Sequence, residues 1–157
     1  LRVLFVCENN LYSVYSPMEV RQPAERSITG IAAAHGIASF HADGNDLDFV
    51  RDATGEALRQ MSARPAPKLL LLDTYRWREH CGHAFDNHIG YRTEEEYETW
   101  KERDPVAMFR ERLSGEKSLD AKTEEKMTAE IAREIKAAFA AAEAAPFPDA
   151  GSIFAHA

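Results

Sequence analysis

The feature that most constrains this chain is an apolar run that gives way to polar side chains within ten residues of its start. Val3-Leu-Phe-Val6 is rich in β-branched and aromatic residues, and the run ends at Glu8-Asn9-Asn10. A short unbroken apolar run of this kind reads as a buried strand of a parallel sheet. Such a strand needs neighbours, so the first strand is expected to be flanked within a larger sheet. Polar residues at the carboxyl end of a parallel strand lie where open α/β sheets bind ligands. Two adjacent amides there offer neutral oxygens, which suit Mg²⁺ or Ca²⁺ once a carboxylate and phosphates supply the charge. Asn is also a turn former that hydrogen-bonds its own backbone, and the dipeptide alone leaves both readings open.

A second run, Lys68-Leu-Leu-Leu-Leu-Asp73, carries charge at both ends and reads as a central strand. Between the two runs lie a loop punctuated by Pro17 and Pro23, a helix over residues 24–35 ending at Gly36, and a strand over 37–42. Asp43-Gly-Asn-Asp46 then turns into a helix over about 47–61. Asp46 is its N-cap, and Phe49, Val50, Ala53, Ala57 and Leu58 form its apolar stripe. Strands alternating with helices predict an α/β fold with a parallel sheet. Thr93 with Glu96 three residues on predicts a capping box, and Asp104-Pro105 predicts another helix start. A final helix over about 121–144 carries Met127, Ile131, Ile135 and Phe139 on one face, expected to pack on the sheet or on another subunit.

Chemistry gathers again after the second apolar run, in Thr74-Tyr-Arg-Trp-Arg-Glu-His-Cys-Gly-His-Ala84. Basic and titratable side chains following a buried strand suit an anionic ligand such as a diphosphate. His80, Cys81, His83 and His88 do not make a convincing zinc site, because adjacent residues rarely share one tetrahedral ion and no second pair is near. A nucleophilic Cys7 is rejected too. Six residues on, Ser13 stands where a phosphate loop would place Arg, and Glu8 would repel a phosphate dianion, so Cys7 reads as a buried strand-end residue.

Net charge is −7, which argues against wrapping a nucleic-acid backbone. No run of 18 apolar residues suggests a membrane span, and the two cysteines suggest no disulfide framework. A soluble, cytoplasmic protein is the economical reading.

Val-Cys-Glu-Asn-Asn-Leu-Tyr resembles the end of the thiamine diphosphate motif, more narrowly that of the alpha subunit of the decarboxylating component of 2-oxo acid dehydrogenase complexes (pyruvate, branched-chain and acetoin type). The resemblance extends through Asp43-Gly-Asn-Asp46, Thr74-Tyr-Arg-x-x-x-His80, Tyr91-Arg-Thr93, Arg103-Asp-Pro105 and Pro146-Phe-Pro-Asp149, which together cover nearly the whole chain. It implies that Asn10 gives a side-chain oxygen, and Tyr12 a backbone carbonyl, to Mg²⁺. It implies that His80 contacts the cofactor diphosphate near the reacting carbon, as the catalytic residue, and that Arg76 helps hold the loop. Cys81 falls where some relatives carry a phosphorylatable Ser, so that control is expected to be absent. Ser13 replaces the family's commonest Gly, which makes a different loop shape the expectation.

The metal-binding Asp of the motif's opening Gly-Asp-Gly has no counterpart in this sequence. The chain is therefore expected to be the C-terminal part of an alpha subunit, either a fragment or a split subunit. Residues 1–90 would form the C-terminal half of the diphosphate-side domain, and residues 91–157 a helical extension packing on the same domain or a partner. The implied partners are the N-terminal half of the alpha subunit, the beta subunit of a heterotetramer and a lipoyl-bearing acyltransferase. Two alternatives remain: a thiamine-diphosphate-dependent acyl or ketol transferase, transketolase-like, and a non-catalytic assembly subunit. The resemblance names neither the 2-oxo acid nor the acyl acceptor.

Overall fold

The computed structural model describes residues 1–155. Strands β1 (Leu4–Asn9), β4 (Ala38–Asp43) and β5 (Lys68–Asp73) form a parallel sheet in the order β1-β5-β4. The chain is thus α/β with a parallel sheet, as the alternation of elements predicts. Asn9, Asp73 and Asp43 pair in register, so all three strands present polar side chains at one carboxyl edge. β5 holds the centre. Leu69, Leu70, Leu71 and Leu72 are all buried, since both of its faces are covered.

Within this chain β1 has a neighbour on one side alone. Phe5 is 49% and Val6 55% exposed, because β5 is its sole neighbour among the described residues, and its other edge is open to the further strands expected of a larger sheet.

Side chains alternate across the sheet, so Leu4, Leu70, Leu72, Phe40 and Ala42 share one face and pack with Ala53 and Val50 of helix α3 (Leu47–Ala63). The Asp46 side chain caps this helix by accepting from the Phe49 N–H at 3.0 Å. Ala53, Ala57 and Met61 are its buried residues, whereas Phe49 and Leu58 of the expected stripe stay half-exposed. Helix α2 (Ile28–Ala34) contacts β4 and β5. It starts four residues later than the apolar pattern suggests, because Ser27 caps it through the Gly30 N–H and residues 23–26 form a turn.

Gly44 joins β4 to α3 where the backbone presses on the end of β5. A Cβ there would lie 2.9 Å from the Asp73 carbonyl oxygen and 2.6 Å from the Thr74 methyl. The Gly44 N–H donates to that same carbonyl at 2.8 Å. A side chain at this position would push the two strand ends apart.

The expected loop after β1 contains structure. Strands β2 (Tyr12–Ser13) and β3 (Ser16–Pro17) form a tight hairpin that runs into a single turn of helix, α1 (Met18–Arg21).

The chain divides into two compact units, Leu1–Phe109 and Arg110–Ala157. Helix α4 (Glu94–Lys101) belongs to the first, and the division falls within α5 (Pro105–Gly115). Tyr97 of α4 is buried among Tyr75, Trp77 and Phe85. In the second unit, helix α6 (Ala121–Ala144) is capped by Asp120, which accepts from the Thr123 N–H at 2.7 Å. Its stripe of Met127, Ile131, Ile135 and Phe139 is at least half exposed. No helix among the described residues is long and apolar enough to cross a membrane.

Candidate functional site

The carboxyl edge of the sheet is organised by Asp73. Its carboxylate accepts from Asn9 Nδ2 at 3.1 Å and meets His41 Nε2 at 2.7 Å, so each strand of the sheet contributes one member. The amide of Asn9 is thereby oriented with its oxygen toward the Leu11 N–H, at 3.4 Å. Two clefts open here. One of about 400 Å³ is lined by Asn9, Arg26, Thr29, His41 and Leu71, and one of about 170 Å³ by Asn9, Leu11, Tyr12 and Arg21.

Asn10 and Tyr12 form a small unit of their own. Asn10 Oδ1 accepts from the Tyr12 N–H at 3.1 Å, the turn geometry that competes with ligation in the dipeptide. The two roles are compatible, since an amide oxygen has two lone pairs and this bond occupies one. Tyr12 pairs with Pro17 across the hairpin. The Met18 N–H donates to the Leu11 carbonyl at 3.0 Å, so Tyr12 and Pro17 are the non-hydrogen-bonded pair of the ladder and the Tyr12 carbonyl turns away from β3. An amide oxygen with a spare lone pair and a carbonyl two residues on are the neutral oxygen donors that Mg²⁺ takes alongside carboxylate and phosphate. The residues present fit that ion.

Ser13 lies outside the left-handed region, so its side chain does not strain the loop. Left-handed backbone falls instead on Leu11 (φ 69°) and Val14 (φ 57°). Val14, a β-branched residue in a conformation that disfavours it, sits at the hairpin tip, and such a residue costs about 1–3 kcal/mol unless its surroundings hold it there. Arg76 does so, donating from Nη2 to the Val14 carbonyl at 2.8 Å and to the Tyr91 hydroxyl at 2.9 Å. The resemblance implies a loop-holding role for Arg76, and its contacts join the two functional stretches directly.

Behind Arg76 lies a buried network that the sequence reading missed. Tyr91 donates its hydroxyl to Asp86 Oδ2 at 2.9 Å. Arg92 donates to Asp86 Oδ1 at 2.6 Å and to the Arg76 carbonyl at 2.5 Å, with its side chain wholly buried. Its guanidinium lies over the rings of Tyr75, Tyr91 and Tyr97. Burial pushes the Tyr75 phenol up to about 12, despite the lowering influence of Arg92.

Glu96 supplies another missed contact. Its N–H donates to Thr93 Oγ1 at 3.1 Å, the expected half of the capping box. Its carboxylate does not fold back to close the box. It accepts the Tyr12 hydroxyl at 2.8 and 2.9 Å. Burial first, and then this carboxylate, raise the Tyr12 phenol far above its ordinary value.

His80 is exposed, on a loop closed by the Glu79 N–H donating to the Ala84 carbonyl at 2.9 Å. Arg78 braces the loop from below, donating to the His83 carbonyl at 2.8 Å and stacking on Phe85. Among the described residues no hydrogen bond joins His80 to the Asn10–Tyr12 unit. No group of three or more His, Cys, Asp or Glu side chains that could hold a metal occurs among the described residues. A divalent ion here would therefore need ligands from outside this set.

Residues 1–151 match the family described as "Dehydrogenase E1 component". The chain belongs to that family. It is 32% identical to the pyruvate dehydrogenase E1 component subunit alpha of Rickettsia conorii over 98% of this chain and 46% of that protein. It is 34% identical to the Bacillus subtilis protein of the same name, over 91% of this chain and 38% of that one. Against the human mitochondrial 2-oxoisovalerate dehydrogenase subunit alpha it is 31% identical, over 97% of this chain and 34% of the relative. The chain thus spans between a third and a half of the length of these E1 relatives. The E1 match takes in both functional stretches and the Asp86–Arg92 network behind them.

Proposed function

We propose that this chain builds the diphosphate side of a thiamine diphosphate site in a 2-oxo acid dehydrogenase, completed by partner chains. The observation that carries the reading is the Asn10–Tyr12 unit at the carboxyl end of β1, with a spare amide lone pair and a carbonyl that takes nothing from Pro17. Asn10 Oδ1 and the Tyr12 carbonyl would hold Mg²⁺, with phosphate oxygens and an acidic residue of a partner chain supplying the charge. Arg76 would hold the hairpin against the 74–91 segment, and His80 would offer a ring N–H to the diphosphate, as the one catalytic residue of this chain. Thiamine diphosphate supplies a carbanion that adds to a 2-oxo group and an electron sink for decarboxylation.

The partners in this reading are an alpha-subunit N-terminal half, a beta subunit and a lipoyl-bearing acyltransferase. Family membership and the alpha-subunit relatives support the first two, and the acyl acceptor follows from the dehydrogenase type. The test is 2-oxo-acid-dependent acylation of a lipoyl domain by this chain co-expressed with its candidate partners. Activity that requires all chains and falls more than about 100-fold in His80→Ala supports the reading. Acylation unchanged in that variant would remove His80 from the site.

A further inference from the structure

We infer that Glu96 is a positioning residue for the metal site: by holding the phenol of Tyr12, it fixes the direction of the Tyr12 backbone carbonyl. The inference rests on the reading of Asn10 and Tyr12 as metal ligands. Tyr12 is anchored at three points besides that carbonyl. Its N–H meets Asn10 Oδ1 at 3.1 Å, its hydroxyl meets both oxygens of Glu96 at 2.8 and 2.9 Å, and its ring packs edge-on against Tyr91 at 5.3 Å. The carbonyl takes no bond from the partner strand, because Tyr12 and Pro17 are the non-hydrogen-bonded pair beside the Met18-to-Leu11 bond.

The segment would otherwise be loose. The β2–β3 ladder is two residue pairs long, and left-handed residues flank Tyr12 on either side at Leu11 and Val14. A peptide in such a hairpin can rock, and rocking turns its carbonyl. A bond between a phenol and a carboxylate is of the stronger, charge-assisted kind. Glu96 is also a firm base for it. Its backbone is held in the first turn of α4 by Thr93, and the next residue, Tyr97, is buried among Tyr75, Trp77 and Phe85. Capping would call the Glu96 carboxylate back to the helix start. That it reaches Tyr12 instead is the sign that its role lies outside the helix. Residues that orient a ligand without touching the metal typically change metal affinity 10–100-fold when removed.

The test is titration of Mn²⁺, followed by its electron paramagnetic resonance signal, into the assembled enzyme with thiamine diphosphate present. Asn10→Ala, Glu96→Ala, Glu96→Gln, Tyr12→Phe and the double variant Glu96→Ala/Tyr12→Phe are compared, with thermal unfolding recorded for each. The expected result is loss of the bound signal in Asn10→Ala and about tenfold weaker Mn²⁺ binding in Glu96→Ala and in Tyr12→Phe. The double variant should be no weaker than either single one, and Glu96→Gln, which keeps an acceptor, should bind within about twofold of wild type. Unchanged affinity in Glu96→Ala and Tyr12→Phe, with Asn10→Ala inactive in binding, overturns the role of Glu96 and leaves the metal site standing. Retained binding in Asn10→Ala overturns the site itself and the positioning role with it.

Discussion

Arg76 donates to the carbonyl of Val14 at 2.8 Å across a separation of 62 residues, and this contact joins the hairpin after β1 to the segment after β5. Val14 needs it, because a β-branched residue in left-handed backbone relaxes when nothing holds its peptide. Arg76→Lys keeps the charge but loses the planar fork that reaches Val14 and Tyr91 together. The expected outcome is a modest stability loss of about 1–2 kcal/mol with a larger loss of cofactor affinity in the assembled enzyme. Urea unfolding, set beside a thiamine diphosphate titration, separates the two.

The Asp86–Arg92 pair is buried and close, so removing either member strands a charge. Asp86→Ala should cost about 3–5 kcal/mol, seen as a large drop in the midpoint of thermal unfolding. Arg92→Lys should be nearly as damaging, because an ammonium cannot meet Asp86, Asn87 and the Arg76 carbonyl at once. A small effect in both would mean that the cage around Arg92 is dispensable.

The two thiols should differ in reactivity. Burial first, then the Asp73 and Glu8 carboxylates, push the Cys7 thiol up, whereas Cys81 is exposed on the His80 loop. At neutral pH iodoacetamide should label Cys81 well ahead of Cys7, and raising the pH should narrow the gap. Peptide mapping of the alkylated chain reads both sites, and faster labelling of Cys7 would contradict the account.

Asp43 gives a pH dependence with a definite sign. Burial raises its carboxyl, but the Asn45 hydrogen bonds and the Arg103 guanidinium outweigh that and hold it below its ordinary value of 3.8. A depressed carboxyl stabilises the fold fully above its unfolded value and loses that contribution as pH falls through the folded one. Both partners are more than a third exposed, so the effect is about 1 kcal/mol or less. Wild type should exceed Asp43→Asn in stability by a constant margin above about pH 5, and the margin should shrink below about pH 4.

What was legible in the sequence was what local physics sets. The run of leucines from Leu69 to Leu72 could only be a central strand, and Asp46 and Thr93 cap helices as short-range rules require. The carboxyl edge carrying Asn9, Asn10 and Asp73 followed from strand ends. The number of neighbours that β1 has within this chain was not legible, because composition marks a strand as apolar but not how many strands flank it. Glu96 was read as a cap partner, and its bond to Tyr12 depends on α4 docking beside a hairpin 84 residues earlier. Asp86 and the Arg92 side chain carry no local signal of their pairing. Nothing in a single sequence distinguishes a charged pair that folding buries from one left in solvent.

The measurement that tests the central claim most directly is calorimetric titration of thiamine diphosphate with Mg²⁺. It is made into this chain alone, into the chain co-expressed with its partner subunits, and into the same assembly carrying Asn10→Ala. The account predicts Mg²⁺-dependent binding in the assembly, none in the isolated chain, and its loss in the variant. Tight binding by the isolated chain, or undiminished binding in Asn10→Ala, would contradict it.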